Sequence, residues 1–397
     1  MDNGNHLTEK DIKVLMALEE KPLATFDELA SMTGFPKSSV FNIYESLIEE
    51  KKEQLPFFSV LALPNIKNLG MEIVDVIVES PKSSQYEFLK EFCLEHPYTA
   101  YDGRSYGSTN GMLIQFRIPQ GTSSFIEEAF HHFSTRGIIE SFQLFSFPDN
   151  YIYTTTQVKY WNHSALSWDF SWKSWFNLEN SSWDQGTFDQ ETFDQEKIAS
   201  QTKLNQGVVE PSALKWLKQS DIHILIELMK NSRRKRVEFM QNLEENKNLK
   251  FTRQTFSRRL KKLSEECVQG HRLFFKSHAF DLHNPTLLIG YASERFIENL
   301  YIHLQKHPIP FTSTFKHNKK SFFWYIHMPS THLSDLLFEL NPYLENLQLN
   351  VIDHPRSLIY YFYAKAFDEK TKQWNKSHDF MVDDVLTYMD DWKQKNT

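Results

Sequence analysis

Lys247-Asn-Leu-Lys-Phe-Thr-Arg-Gln-Thr-Phe-Ser-Arg-Arg-Leu-Lys-Lys-Leu263 is the stretch on which the reading of this chain turns. Phe256, Leu260 and Leu263 recur at i, i+4 and i+7, which places them on one face of an α-helix. Thr252 stands where an N-cap belongs. Arg253, Gln254, Ser257, Arg258, Lys261 and Lys262 fall mostly on the other faces. A short capped helix with an apolar stripe and a basic outer surface suits the major groove of DNA. A solvated basic face is the plainer alternative. What precedes the helix, and a second copy elsewhere in the chain, favour the first reading.

The second copy lies near the N-terminus. Leu7, Asp11, Ile12, Leu15 and Leu18 return 210 positions later as Leu217, Asp221, Ile222, Leu225 and Leu228. Thr25-Phe-Asp-Glu28 is a capping box opening a short helix through Met32, which Gly34 is placed to end. A third helix is predicted from Pro36 to about Glu50, with Val40, Tyr44 and Leu47 in its stripe. These three match Phe256, Leu260 and Leu263 at a shift of 216, so the second copy carries about six extra residues between helices. The chain therefore reads as an internal duplication.

Each trihelical unit leads into strands. Phe57–Leu63 and Leu273–Phe280 read as a wing and connecting strand. In the first copy the pattern continues with strand Ile73–Val78, helix Gln85–Glu95, a Gly- and Ser-rich turn, and strand Met112–Ile118. Helix Ser124–Thr135 and strands Ile139–Phe145 and Tyr151–Val158 complete it. His96-Pro97 recurs as His307-Pro308, Ile118-Pro119 as Met328-Pro329, and Tyr151–Tyr153 as Tyr361–Tyr363. The expected fold class is α+β: two repeats of a winged helix-turn-helix plus a ferredoxin-like βαββαβ domain. The expected divisions are 1–60, first winged helix-turn-helix; 61–176, first ferredoxin-like sensor domain; 177–212, flexible linker; 213–278, second winged helix-turn-helix; and 279–397, second sensor domain with a C-terminal helix. The linker assignment rests on the polar, acidic, short-repeat stretch around Thr187–Glu196. The acidic segment Asp379–Trp392 is expected as a helix on the second copy.

In this order the units resemble the Lrp/AsnC family of transcription regulators. Leu7-Thr-Glu-Lys-Asp-Ile-Lys-Val-Leu15 resembles the family's opening helix, and Gly34-Phe-Pro-Lys-Ser-Ser-Val40 its turn into the recognition helix. Leu63-Pro-Asn-Ile-Lys-Asn-Leu-Gly70 resembles the segment from wing to sensor domain. The resemblance covers about 1–160, and 215–365 more weakly. It implies DNA contacts at Ser38 and Asn42, and by the internal alignment at Gln254 and Arg258. Family sensor domains hold amino-acid effectors with a Gly-Asp-like loop. Here that place reads Gly107-Ser-Thr-Asn-Gly111 and Lys316-His-Asn-Lys-Lys320, without the acidic residue.

Composition sets the limits. The chain has 397 residues and a net charge of −7, so the whole molecule does not advertise nucleic acid. Its two cysteines, Cys93 and Cys267, exclude a disulfide scaffold and a cysteine-based zinc site. Local charge separates the copies. Lys230–Arg272 holds thirteen Lys/Arg and five Asp/Glu, net +8, whereas Leu7–Leu55 holds six and ten, net −4. Phosphate neutralisation dominates sequence-independent affinity, so the second copy is expected to be the better anchor, with Arg233–Arg236 adding to it. The first copy reads DNA weakly or binds a protein. His131-His132 has no third ligand in fixed spacing, and no phosphate loop, nucleophile elbow or carboxylate pair stands out. Trp161, Trp168, Trp172 and Trp175 read as packing residues.

The expectation is a cytoplasmic, non-enzymatic DNA-binding transcriptional regulator, without catalytic residues, metal, cofactor or membrane association. Its partner would be double-stranded DNA, contacted through Lys37, Ser38, Asn42, Arg253, Gln254, Ser257, Arg258 and Lys261. The sensor domains would pair within the chain as a pseudo-dimer, with room for an unidentified small-molecule effector and for higher homo-oligomers. The alternative is a winged-helix adaptor that binds proteins.

Overall fold

The computed structural model describes residues 7–48, 56–147, 151–178, 183, 211–275, 280–283 and 285–396. The first repeat opens with helices α1 (Glu9–Glu20), α2 (Phe26–Thr33) and α3 (Lys37–Ile48). Thr8 and Asp11 cap α1 reciprocally, as Thr25 and Glu28 cap α2. Gly34 ends α2 at φ +73°, a left-handed conformation that costs glycine little. Strands β1 (Phe58–Pro64) and β2 (Met71–Glu79) follow, then α4 (Ser83–Glu95), β3 (Thr99–Gly107), β4 (Gly111–Pro119), α5 (Ser123–Thr135), β5 (Ser141–Ser146) and β6 (Tyr151–Thr154). A short hairpin, β7 (Trp161–Asn162) and β8 (Ser167–Trp168), and α6 (Trp172–Phe176) close this part.

The second repeat has α7 (Gln219–Lys230), α8 (Arg236–Lys247), α9 (Arg253–Glu266), β9 (Val268–Phe275), β10 (Thr286–Ala292), α10 (Glu294–Lys306), β11 (Thr312–His317) and β12 (Ser321–His327). It continues with α11 (Leu333–Leu340), β13 (Leu344–Ile352), β14 (Leu358–Ile359), the hairpin β15 (Phe367–Asp368) and β16 (Gln373–Trp374), and α12 (Asp384–Asn396) after a π-helical turn at Asp379–Asp383. The architecture is the expected α+β repeat.

The repeats are joined at three levels. The wings pair with each other, β1 with β9, from Phe58 opposite Phe275 to Pro64 opposite Val268. The sheets fuse in the order β5-β2-β4-β3-β13-β10-β12-β11-β6, with β14 also on β3. The seam is β3 against β13, where Gly107 (φ +134°) runs so close that a Cβ would sit 2.4 Å from the Leu349 carbonyl oxygen. The Gly107–Gly111 loop stitches this seam: Ser108 N–H donates to the Leu349 carbonyl at 2.9 Å, and Thr109 N–H to Asn350 Oδ1 at 2.7 Å.

The third level is an exchange of tails. After β5 the first repeat crosses over, and β6 pairs with β11 of the second. Trp168 Nε1 donates to the Phe280 carbonyl at 2.9 Å and Trp175 Nε1 to the His307 carbonyl at 2.7 Å. All four tryptophans of that series are buried in a core that the second repeat's sheet shares with the first trihelical unit. Trp183 is buried there too, so this residue of the expected linker is packed; 179–182 and 184–210 lie outside the described residues. Reciprocally, the chain after β14 wraps the first repeat. Trp374 Nε1 donates to the Leu69 carbonyl at 2.7 Å, Tyr388 OH to Glu91 Oε1 at 2.6 Å, and Trp392 packs on Phe88 at 6.0 Å between rings. The C-terminal helix thus covers the first copy, not the second as the sequence suggested.

The exchange leads to an expected result. After cleavage at a protease site inserted between 184 and 210, the halves should co-elute in size-exclusion chromatography under native conditions. Separation without denaturant would show that the interlock does not hold.

A charge clip fastens the C-terminal segment. His378 Nδ1 lies 2.9 Å from Asp383 Oδ2, and Nε2 lies 3.1 Å from both carboxylate oxygens of Glu128 on α5. Both ring nitrogens must donate to satisfy these acceptors, which is the imidazolium form. The Asp383 and Glu128 hydrogen bonds raise the pKa above the ordinary value of 6.5. A raised folded-state pKa gives stability that is fully present below the unfolded pKa and lost as pH rises through the folded one. Proteolysis of the 379–396 segment should therefore quicken as pH rises through that window, and His378→Gln should abolish this dependence. A wild-type rate independent of pH would contradict it.

Candidate functional site

The first face is the one the sequence points to. Helix α9 starts at Thr252, whose hydroxyl accepts from Thr255 N–H at 3.2 Å, and buries Phe256 and Leu263 completely. Arg253, Gln254, Arg258 and Lys261 are exposed, and Ser257 is half-buried with its Oγ accepting from Arg236 Nη1 at 3.2 Å. Arg253 and Arg258 make no ion pair among the described residues, while Lys261 has a loose one to Glu265 at 3.8 Å. Arg259 turns inward to Asp221 at 3.2 Å, and Lys262 lies over the Trp216 ring at 4.4 Å.

Two further cations of the basic cluster are structural. Arg233 Nη1 donates to the carbonyls of Pro22 at 2.9 Å and Ala24 at 2.8 Å, and its guanidinium lies 4.9 Å from the Tyr44 ring centroid. It ties the second trihelical unit to the first. Arg234 pairs with Glu227 at 3.0 Å. The expectation that Arg233 and Arg234 widen a DNA footprint is accordingly corrected: both head groups are occupied by protein acceptors. On α3, Ser38 and Asn42 are exposed, and Lys37 is engaged with Asp27 at 2.8 Å.

A second site was not legible in the sequence. The faces of the fused sheet flank a half-open chamber of about 260 Å³ behind the wings. Asp75 on β2, Gln115 and Arg117 on β4, and Tyr153 on β6 line one part. Arg272 on β9, Lys316 on β11, and Tyr325 and His327 on β12 line the other, with His354 beside them. Lys316 is buried and paired with Asp75, which also accepts from Gln115 Nε2 at 2.8 Å. Tyr101 OH bonds Ser357 Oγ at 2.7 Å and Tyr325 OH at 3.2 Å.

The chamber is electrostatically unbalanced. Its lining has three cations, Arg117, Arg272 and Lys316, against the single carboxylate of Asp75. Arg117 donates Nη2 to the Tyr360 carbonyl and stacks 4.8 Å from the Phe362 centroid, but meets no carboxylate among the described residues. Burial draws its pKa down to about 10, so it stays charged at neutral pH. Arg272 is also pulled down by burial, and its Nε has no partner among the described residues. Burial, then His354 and Arg272, holds His327 near 3, and burial lowers His354. Both imidazoles are neutral at pH 7.

Among the described residues one group of His and carboxylates is close enough to share an ion: His378, Asp379 and Asp383, within 4.8 Å. Its imidazole is already held on both nitrogens, as described above. His131 instead packs on Phe142 at 5.0 Å. No helix among the described residues is long and apolar enough to cross a membrane.

No family profile matches the chain, and no curated protein does. Solved structures match it in two ways. The crystal structure of the siroheme decarboxylase NirDL covers 96% of this chain and 100% of its own, at 13% identity and a TM-score of 0.46. The same enzyme in co-complex with an iron-uroporphyrin III analogue gives 96%, 100%, 12% and 0.47. The AsnC structure from E. coli covers 38% of this chain and 98% of its own, at 15% identity and a TM-score of 0.26. AsnC-type regulators are thus similar over about one repeat. The expectation of a non-enzyme is corrected here, because the proteins similar along nearly the whole chain are decarboxylase structures.

Proposed function

We propose that the chain binds duplex DNA, with α9 as the principal contact, and acts in transcription regulation. The observation that carries this is the division of α9 into a buried apolar face and an exposed face bearing Arg253, Gln254, Arg258 and Lys261. Arginine and glutamine in that position can both neutralise phosphate and read base edges. Helix α3 would contribute less, since Lys37 is engaged by Asp27. Titrating duplex binding against salt tests the reading, because each neutralised phosphate adds about −0.9 to the log–log slope. Affinity indifferent to salt would overturn it.

One observation favours the protein-binding alternative for the first trihelical unit. Leu23, Met32 and Phe41 are exposed there at 47%, 38% and 45%. Apolar docking on this unit would be weakly salt-dependent, which separates the two readings in the same titration.

A further inference from the structure

We propose that the inter-sheet chamber is a binding site for one small aromatic carboxylate per chain, seated against Arg117 and Arg272. Four observations converge on this ligand.

The first is the missing counter-charge. Taking a guanidinium out of water is costly unless an anion and good hydrogen bonds compensate. Lys316 has Asp75, but among the described residues Arg117 has only a carbonyl and a ring, and Arg272 meets no carboxylate and keeps a buried Nε without an acceptor. The second is the lining. Ile73, Leu113, Met229, Phe274 and Phe323 surround the charges with apolar wall. A hydrated inorganic anion would leave that wall wet, whereas an arene carrying a carboxylate covers both. Pockets of this make-up, apolar with a few convergent polar groups, are those that fix a small ligand's orientation. The third is size: about 260 Å³ is many times the ~10–15 Å³ of such space that one water needs, enough for a single-ring acid.

The fourth is broken symmetry. The recurrence of Ile118-Pro119 as Met328-Pro329 makes Arg117 and His327 equivalent, and Gln115 and Tyr325. Asp75 faces Gln115 across its strand pair, as Leu287 faces Tyr325. At these equivalent strand positions one half offers a cation and an amide, with Asp75 beside them, and the other a neutral imidazole and a phenol, with Arg272 and Lys316 beside them. A two-fold arrangement would take its ligand in two equivalent poses. This one distinguishes the poses, with the carboxylate on the arginines and the ring against the apolar wall.

The test uses the full chain and calorimetric titration with benzoate, benzamide and inorganic phosphate. Benzoate should bind with a stoichiometry of one. Benzamide, of the same shape without the charge, and phosphate should each bind at least tenfold more weakly. Arg272→Met should lose benzoate by tenfold or more, with Arg272→Lys retaining part of it. The melting temperature of ligand-free Arg272→Met guards against misfolding. It should be unchanged or higher, since a buried charge without a partner has been removed, whereas a purely structural arginine would lower it. The proposal is overturned if benzoate gives no binding at about 10 mM, where even a ligand with a Kd of about 1 mM saturates. Equal binding of benzamide or phosphate, or a lowered melting temperature with binding intact, also overturns it. None of these outcomes bears on DNA contact by α9.

Discussion

Replacing Arg253, Arg258 and Lys261 together by Glu should lower duplex affinity by on the order of 100-fold at ~0.15 M salt, and flatten the log–log salt slope by about 2.7. The estimate follows from counterion release. With each phosphate contact entering as the salt concentration to the power of about −0.9, loss of one costs roughly five- to sixfold at that ionic strength, and three multiply. Repulsion by the new carboxylates adds to this. The fold should survive, because all three side chains are exposed and the helix is anchored by Phe256 and Leu263. An unchanged far-ultraviolet circular dichroism spectrum would confirm that. The paired change Lys37→Glu and Asn42→Ala on α3 should cost far less, because Lys37 already spends its charge on Asp27. A larger effect from the α3 pair would reverse the assignment of principal and minor helix.

The legibility of α9 has a simple origin. Its buried residues, Phe256 and Leu263, follow a helical period within one turn-capped segment, so local sequence carries the whole signal. The same holds for the capping boxes at Thr25 and the apolar stripe of α3. The sequence reading places no strand at β3, only a Gly- and Ser-rich turn before Met112–Ile118, and two of the strand's residues are Gly103 and Gly107. In the structure both are close approaches, where a Cβ would meet Ile352 in one case and the Leu349 carbonyl in the other. The partner that demands the glycines lies some 240 positions away in sequence, so nothing local could reveal it.

The chamber was illegible for a related reason. Asp75, Arg117, Arg272 and Lys316 come from β2, β4, β9 and β11, and nothing in each strand's own sequence sets that residue apart from its other polar residues. Only the fusion of the two sheets brings them onto facing surfaces. The location of the C-terminal helix failed in the same way. Its apolar residues announce packing, but Trp392 meets Phe88 and Tyr388 meets Glu91 in the other repeat, as the tail exchange requires.

The Asp75–Lys316 pair joins the two repeats across the chamber. Asp75 belongs to the first repeat and Lys316 to the second, and the side chains are 2% and 4% exposed. Lys316→Met should therefore destabilise the protein by about 3–5 kcal/mol, the usual cost of leaving one partner of a buried pair uncompensated. Gln115 cannot offset this, since one amide donor at 2.8 Å remains where an ammonium stood. The double change Asp75→Leu with Lys316→Met should recover most of the loss, because well-packed apolar replacements of a buried pair are often neutral or stabilising. The molecule itself supplies the precedent, for Leu287 occupies the place in β10 that Asp75 occupies in β2. Urea unfolding midpoints at constant slope give the comparison directly. A single-variant loss below about 1 kcal/mol would mean that water already reaches the pair, as at an exposed salt bridge. A double variant no better than the single would mean that the pair is held for its geometry across the chamber, with its charge neutrality secondary.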